Sequence, residues 1–174
     1  MDPFTRIPGF DEPIAVLKHC HDRIRKQIRT MQKLLVHLPE YGADPDARQG
    51  ADAVLRYFNN AARLHHADEE ENLLPMLQAS ATNDDAAALA TLIPRILEEH
   101  VQMDKSWRIL HPQLQQIATG QSAVLSAEEV QHFAEMYAAH MEKEETMIAP
   151  MAKRIFSHAQ MTQLGNAMRT RRDL

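Results

Sequence analysis

Apolar side chains return along this chain at intervals of three, four and seven, the spacing that keeps residues on one face of an α-helix. Ile14, Leu17, Ile24, Ile28, Met31 and Leu35 form the first such stripe and predict a helix ending at about Leu38, before Pro39. "PEYGADPD" reads as a loop, with Asp44 or Asp46 as the cap of a second helix that starts near Ala47. That helix carries Val54, Phe58, Ala61 and Leu73 and is kinked or ended by Pro75. "SATNDD" is the next break, with Asn83 as N-cap. A third helix over about 84–118 bears Ile93, Ile96, Leu97, Met103, Trp107, Leu110 and Leu114, with Pro94 and Pro112 as possible bends. Ser126 followed by Glu129 predicts a capping box opening a fourth helix with Phe133, Met136, Met147, Ile148 and Met151. A last helical piece over about 156–170 trails it, and no alternating strand pattern stands out. Pro3, Pro8 and Gly9 make residues 1–12 an extended lead. The expected architecture is therefore all-α: an antiparallel up-down four-helix bundle over 13–174 with a short C-terminal helical extension.

Polar residues interrupt these stripes in a regular way. His21, His65, His100 and His140 each sit seven residues from an apolar member of their own stripe, one per helix. Glu69 and Glu144 follow two of them by four residues and share the same faces. The second and fourth helices are near-copies: "HHADEEENLLP" from His65 and "HMEKEETMIAP" from His140 align, and laying 58–76 over 133–151 also pairs Phe58 with Phe133 and Met76 with Met151. Packing explains repeated apolar positions but not repeated polar ones on a buried face. Burying a carboxylate without a partner costs several kcal/mol, on the order of that for any uncompensated charge, and no stripe offers a Lys or Arg to offset it. A shared metal would satisfy all six groups at once. The competing reading is a set of hydrogen-bonded core histidines in a purely structural bundle. His66 and Glu70 pair by spacing and are expected to face outward, and Glu145 is expected to be a solvated charge.

Composition and charge narrow the function further. A net charge of −5 with neutral histidines gives no electrostatic reason to expect nucleic acid. No apolar run approaches the ~20 residues that span a bilayer, and the N-terminus lacks the apolar core of a signal peptide. The single cysteine, Cys20, cannot form an intramolecular disulfide and reads as a small buried hydrophobe, so a cytoplasmic location is expected. The terminal "RTRRDL" reads as a solvated helix end. Imidazoles and carboxylates without thiolates suit iron or manganese over a zinc-finger-like site.

These residues resemble the hemerythrin-like, or HHE cation-binding, family. The resemblance is carried by His21, the two repeated segments and "LEEH" ending at His100, and it spans about residues 13–155. It implies a four-helix bundle around two non-haem iron ions with a bridging oxo or hydroxo group, manganese or zinc being possible substitutes. The implied ligands are His21, His65, His100 and His140, with Glu69 and Glu144 bridging both ions. Two ferrous ions, two glutamates and one hydroxide would leave such a site near +1. Oxygen-carrying hemerythrins are similar but place a further histidine where this chain has Asp104, four residues after His100. Asp104 is thus a candidate ligand or hydrogen-bond partner, and Tyr137, one turn before His140, a candidate lining residue. Open positions on both ions would suit a small diatomic or peroxide ligand. The resemblance implies a protein that binds or senses oxygen, nitric oxide or peroxide. The alternatives are a di-iron peroxidase, oxidase or nitric-oxide reductase, and an iron–sulfur-cluster repair protein. The last branch typically adds a cysteine-bearing N-terminal domain, for which this chain is expected to have no room. An electron donor or signalling partner is not indicated.

Overall fold

The structure, a computed structural model, describes residues 7–174. The first half of the expected extended lead, residues 1–6, lies outside the described residues. Among the described residues five helices make up the fold and no strand occurs. Helix α1 spans Pro13–Tyr41. Helix α2 runs without a break over 45–80, through the segments Pro45–Arg56, Tyr57–Ala61, Ala62–Asp68, Glu69–Leu73 and Leu74–Ser80. Helix α3 is Asn83–Ala118. Helix α4 covers 127–155 as Ala127–Lys143, Glu144–Ile148 and Ala149–Ile155, and α5 is His158–Thr170. Successive long helices pack side by side and α1 closes against α4, giving a four-sided bundle.

The prolines behave differently from their usual role as helix stops. α1 passes through Pro39 and ends two residues further on, at Tyr41. Pro94 and Pro112 lie within α3. Pro75 and Pro150 do not end their helices either. Each is preceded by a π turn, Glu69–Leu73 in α2 and Glu144–Ile148 in α4. A π turn carries one extra residue, so the backbone widens where the proline ring would otherwise clash with the preceding turn. The repeated segments thus encode a repeated helix distortion. The extra residue also shifts the phase. Ile148, not Met147, faces inward, and Met147 is exposed although it stands seven after His140. Leu97 is also exposed, since Ile93 and Ile96 already fill the inner face of α3 there.

The caps follow simple chemistry. The Asp44 carboxylate accepts from the Ala47 N–H at 2.8 Å, and the Ser126 hydroxyl accepts from the Glu129 N–H at 3.3 Å. At α3 the cap position is Thr82, and Asn83 is the first helical residue, with φ of 51°. α5 opens on a full capping box between Ser157 and Gln160.

The apolar interior falls into two parts. One gathers Ile24, Ile28, Met31, Phe58, Leu110, Phe133 and Tyr137. The other gathers Leu17, Leu73, Leu77, Ile96, Ile148, Met151 and Leu164, bringing α5 into the core. α5 also holds the end of the N-terminal lead. Phe10 lies under the guanidinium groups of Arg169 and Arg172, at 5.8 and 5.6 Å from its ring centre. Gly165 faces the Phe10 carbonyl so closely that a β-carbon would overlap its oxygen. Gly165→Ala is expected to push the Phe10 turn off α5 at a cost of about 1–3 kcal/mol, measured by chemical denaturation.

Candidate metal centre

Between the two apolar parts lies a polar layer. α1 contributes His21, α2 His65 and Glu69, α3 His100, and α4 His140 and Glu144. All six are at most 4% exposed. Helical spacing places each histidine inward, and the four-residue offset to each glutamate stacks its carboxylate one turn further along the same face.

The six fall into two groups that share their carboxylates. One group is His21, His65, Glu69 and Glu144; the other is His100, His140, Glu69 and Glu144. Within each group the donor atoms lie within 4.8 Å of one another. The sharing is oxygen by oxygen. Glu69 turns Oε1 toward His65 Nε2 at 3.2 Å and Oε2 toward His100 Nε2 at 3.5 Å. Glu144 turns Oε1 toward His140 Nε2 at 3.2 Å and Oε2 toward His21 Nε2 at 3.1 Å. His100 and His140 bring their Nε2 atoms to 3.1 Å.

Several of these atoms are close without being bonded. His21 Nε2, Glu69 Oε2 and both Glu144 oxygens are buried with no hydrogen-bond partner among the described residues. Buried polar atoms left unpaired are costly. Four imidazole nitrogens and four carboxylate oxygens gathered in this way form a donor set suited to iron or manganese. The residues present fit a pair of cations.

A ring of outer carboxylates fixes three of the imidazoles through their other nitrogen. Glu145 Oε1 lies 2.9 Å from His21 Nδ1 and is held by Arg25 Nη2 at 2.8 Å. Glu70 Oε1 lies 2.7 Å from His100 Nδ1. Glu99 lies 3.0 Å from His140 Nδ1 and accepts from Lys143 Nζ at 2.9 Å. Such partners set the tautomer and aim Nε2 at the centre. The expectation that Glu70 and Glu145 are merely solvated is therefore corrected: both are partly exposed, yet each holds a buried histidine. The repeat itself carried the signal, since both copies keep the second glutamate of the pair. Glu99, which directly precedes His100, gave no such sign.

His66 is a second correction. It does not face outward. Its ring stacks on His100 with centres 4.0 Å apart and planes at 8°, and its Nε2 is buried without a partner. Asp104 does not join either shared group; it is exposed and bonded to Arg108 Nη2 at 2.6 Å. Tyr137 is buried against Phe133 at 4.8 Å between ring centres, one turn from His140.

Charge is distributed unevenly in this layer. Burial, reinforced by the Glu144 charge, pushes the Glu69 carboxyl well above the usual carboxylate range. Burial alone would raise Glu144 too, but the imidazoles of His140 and His21 beside it hold it well below that range. Burial and His140 take His100 down to about 4. Burial and His21 lower His65, and burial and His100 lower His66. Burial would lower His140 as well, but Glu144 and Glu99 outweigh it and raise it. The lowered His65 and His100 and the lowered Glu144 favour the protonation states a cation requires, whereas Glu69 and His140 are shifted the other way and would give up protons to one.

Two cavities lie beside this layer. One, of about 390 Å³, is lined by His66, Asp104, Trp107 and Tyr137. The other, of about 420 Å³, is lined by His21, Glu69, Glu144 and Lys18.

The molecule is thus a helical bundle built around a buried, doubly shared His/Glu cluster. The chain matches the Hemerythrin HHE cation binding domain over residues 12–152, and it belongs to that family. It is also similar to an uncharacterised protein of Haemophilus influenzae (strain ATCC 51907 / DSM 11121 / KW20 / Rd), 27% identical over 165 residues that cover 95% of this chain and 92% of that protein. Family and cluster together indicate metal binding. Among the described residues no helix is long and apolar enough to cross a membrane.

Proposed function

We propose that this chain is a non-haem di-iron protein that binds or senses a small ligand (oxygen, nitric oxide or peroxide) in the core of the bundle. The observation that carries this reading is the division of each glutamate between two donor groups, one oxygen to each. Such a layout suits two ions side by side better than one. His21 and His65 would hold one ion, His100 and His140 the other, and Glu69 and Glu144 would bridge them. When bound, iron supplies redox chemistry and a centre that small ligands can attach to. The chain supplies geometry. Glu145, Glu70 and Glu99 lock the imidazoles in direction, while the apolar parts above and below exclude bulk water. With two nitrogens and two carboxylate oxygens from the protein, each ion keeps room for an added ligand.

Anaerobic loading with ferrous iron tests this directly. About two iron ions per chain are expected, and a band that appears with oxygen and disappears on its removal would mark reversible binding. Less than one equivalent after loading would refute the reading. The cavity lined by His21, Glu69 and Glu144 also favours a second reading, a di-iron redox enzyme, because it gives a small reactant a path to the cluster. Catalytic consumption of peroxide or nitric oxide with an electron donor would establish it; stoichiometric uptake alone would leave the binding role.

A further inference from the structure

His66 belongs to neither of the two donor groups that share Glu69 and Glu144, yet the fold places it at the edge of one of them. One of its nitrogens lies within 4.8 Å of the donor atoms of His100 and His140. Its Nε2 is buried and bonded to nothing among the described residues. The same ring lines the cavity of about 390 Å³, so it stands between that cavity and the cluster.

Its geometry argues against a role as one more ligand to the ion of His100. An imidazole binds a cation in its own ring plane. The His66 and His100 planes are parallel within 8° and stacked, with centres 4.0 Å apart, so they share no point where a common ion could sit. An unpaired imidazole nitrogen beside a site with room for an added ligand is positioned to bond that ligand instead. Asp104, on the same cavity wall, is already engaged by Arg108. Stacking on His100 also fixes the His66 ring, so little side-chain freedom is left to lose when a ligand arrives.

We infer that His66 is the hydrogen-bond partner of the small ligand that enters on the His100–His140 side, favouring ligands with negative charge on a terminal atom. This rests on the di-iron reading of the site. Azide is a suitable probe, being small, linear and charged at its ends.

The experiment is an azide titration of the ferric-loaded protein, followed by absorption, alongside iron counting on each sample. His66→Phe keeps a ring to stack on His100 but removes the nitrogen. It is expected to hold as much iron as the parent and to bind azide about tenfold more weakly or worse, the loss expected for a hydrogen bond to a charged group. His66→Leu carries the same expectation without an aromatic ring, so the test does not depend on one variant folding. His66→Gln retains an amide donor and is expected to recover part of the affinity. Unchanged azide affinity in iron-replete His66→Phe or His66→Leu would overturn the inference. So would loss of iron from those variants, which would make His66 a metal donor. Failure of the di-iron reading itself shows separately, as absence of iron in the parent.

Discussion

Iron-loaded Glu144→Ala will retain less than one ion per chain, whereas His65→Ala will lose mainly one of two. Glu144 gives Oε2 to the side of His21 and Oε1 to the side of His140, so its removal strips a donor from both positions together. His65 faces one position only, through the group it forms with His21. The loss should also appear in stability. A ligand that binds only the folded state stabilises it by about 2.7 kcal/mol when present at a hundredfold excess over its Kd. For a chain of this size each kcal/mol moves Tm by about 2–4 °C. Iron should therefore raise the parent Tm by about 5–10 °C and leave Glu144→Ala nearly unmoved. Elemental analysis and thermal melts with and without iron check both parts. Equal iron content in Glu144→Ala and His65→Ala would contradict the bridging geometry.

The double variant Arg171→Ala/Arg172→Ala will be destabilised by about 3–5 kcal/mol, the usual cost of leaving a buried charge without its partner. Asp68 is fully buried on α2, directly before Glu69. Arg171 Nη1 reaches its Oδ1 at 2.6 Å, and Arg172 Nη2 reaches its Oδ2 at 2.6 Å. Arg171 also bonds Glu71 and Asn72. Both guanidinium groups come from the residues just after α5, so the chain end is clamped to the strip of α2 that carries the cluster. The expected fall in Tm is about 6–20 °C by the same conversion. Adding Asp68→Asn should restore much of it, because an amide is far cheaper to bury than a carboxylate. Urea melts of the double and triple variants decide the matter; a double variant as stable as the parent would show that the clamp carries no weight.

Much of this was readable from residue spacing. Seven-residue intervals placed His21, His65, His100 and His140 on inner faces, and all four are buried there. The bundle class followed from the lengths of the apolar stripes and the breaks between them. What escaped were features set by partners distant in the chain. "RTRRDL" looked like a solvated end, since nothing local shows that Arg171 and Arg172 fold back onto Asp68. His66 stands one residue after a stripe member, about a quarter turn away on an ideal helix. It turns inward enough to meet His100, a contact made across two helices. Met147 failed for a different reason. Counting by sevens assumes an unbroken α-helix, and the π turn at Glu144–Ile148 adds a residue to the count. The capping box at Ser157 and Gln160 was legible in principle from the three-residue offset alone.

The polar layer has one more consequence, which follows from where it lies. It cuts the hydrophobic interior into two lobes, one around Phe133 and Met31, the other around Leu77 and Leu164. Side chains in one lobe hardly constrain the shapes allowed in the other, because charged and imidazole groups intervene. The lobes are joined by continuous backbone and by whatever occupies the middle. On the proposed reading, metal held by the six donor residues would act as a rivet between two small hydrophobic modules.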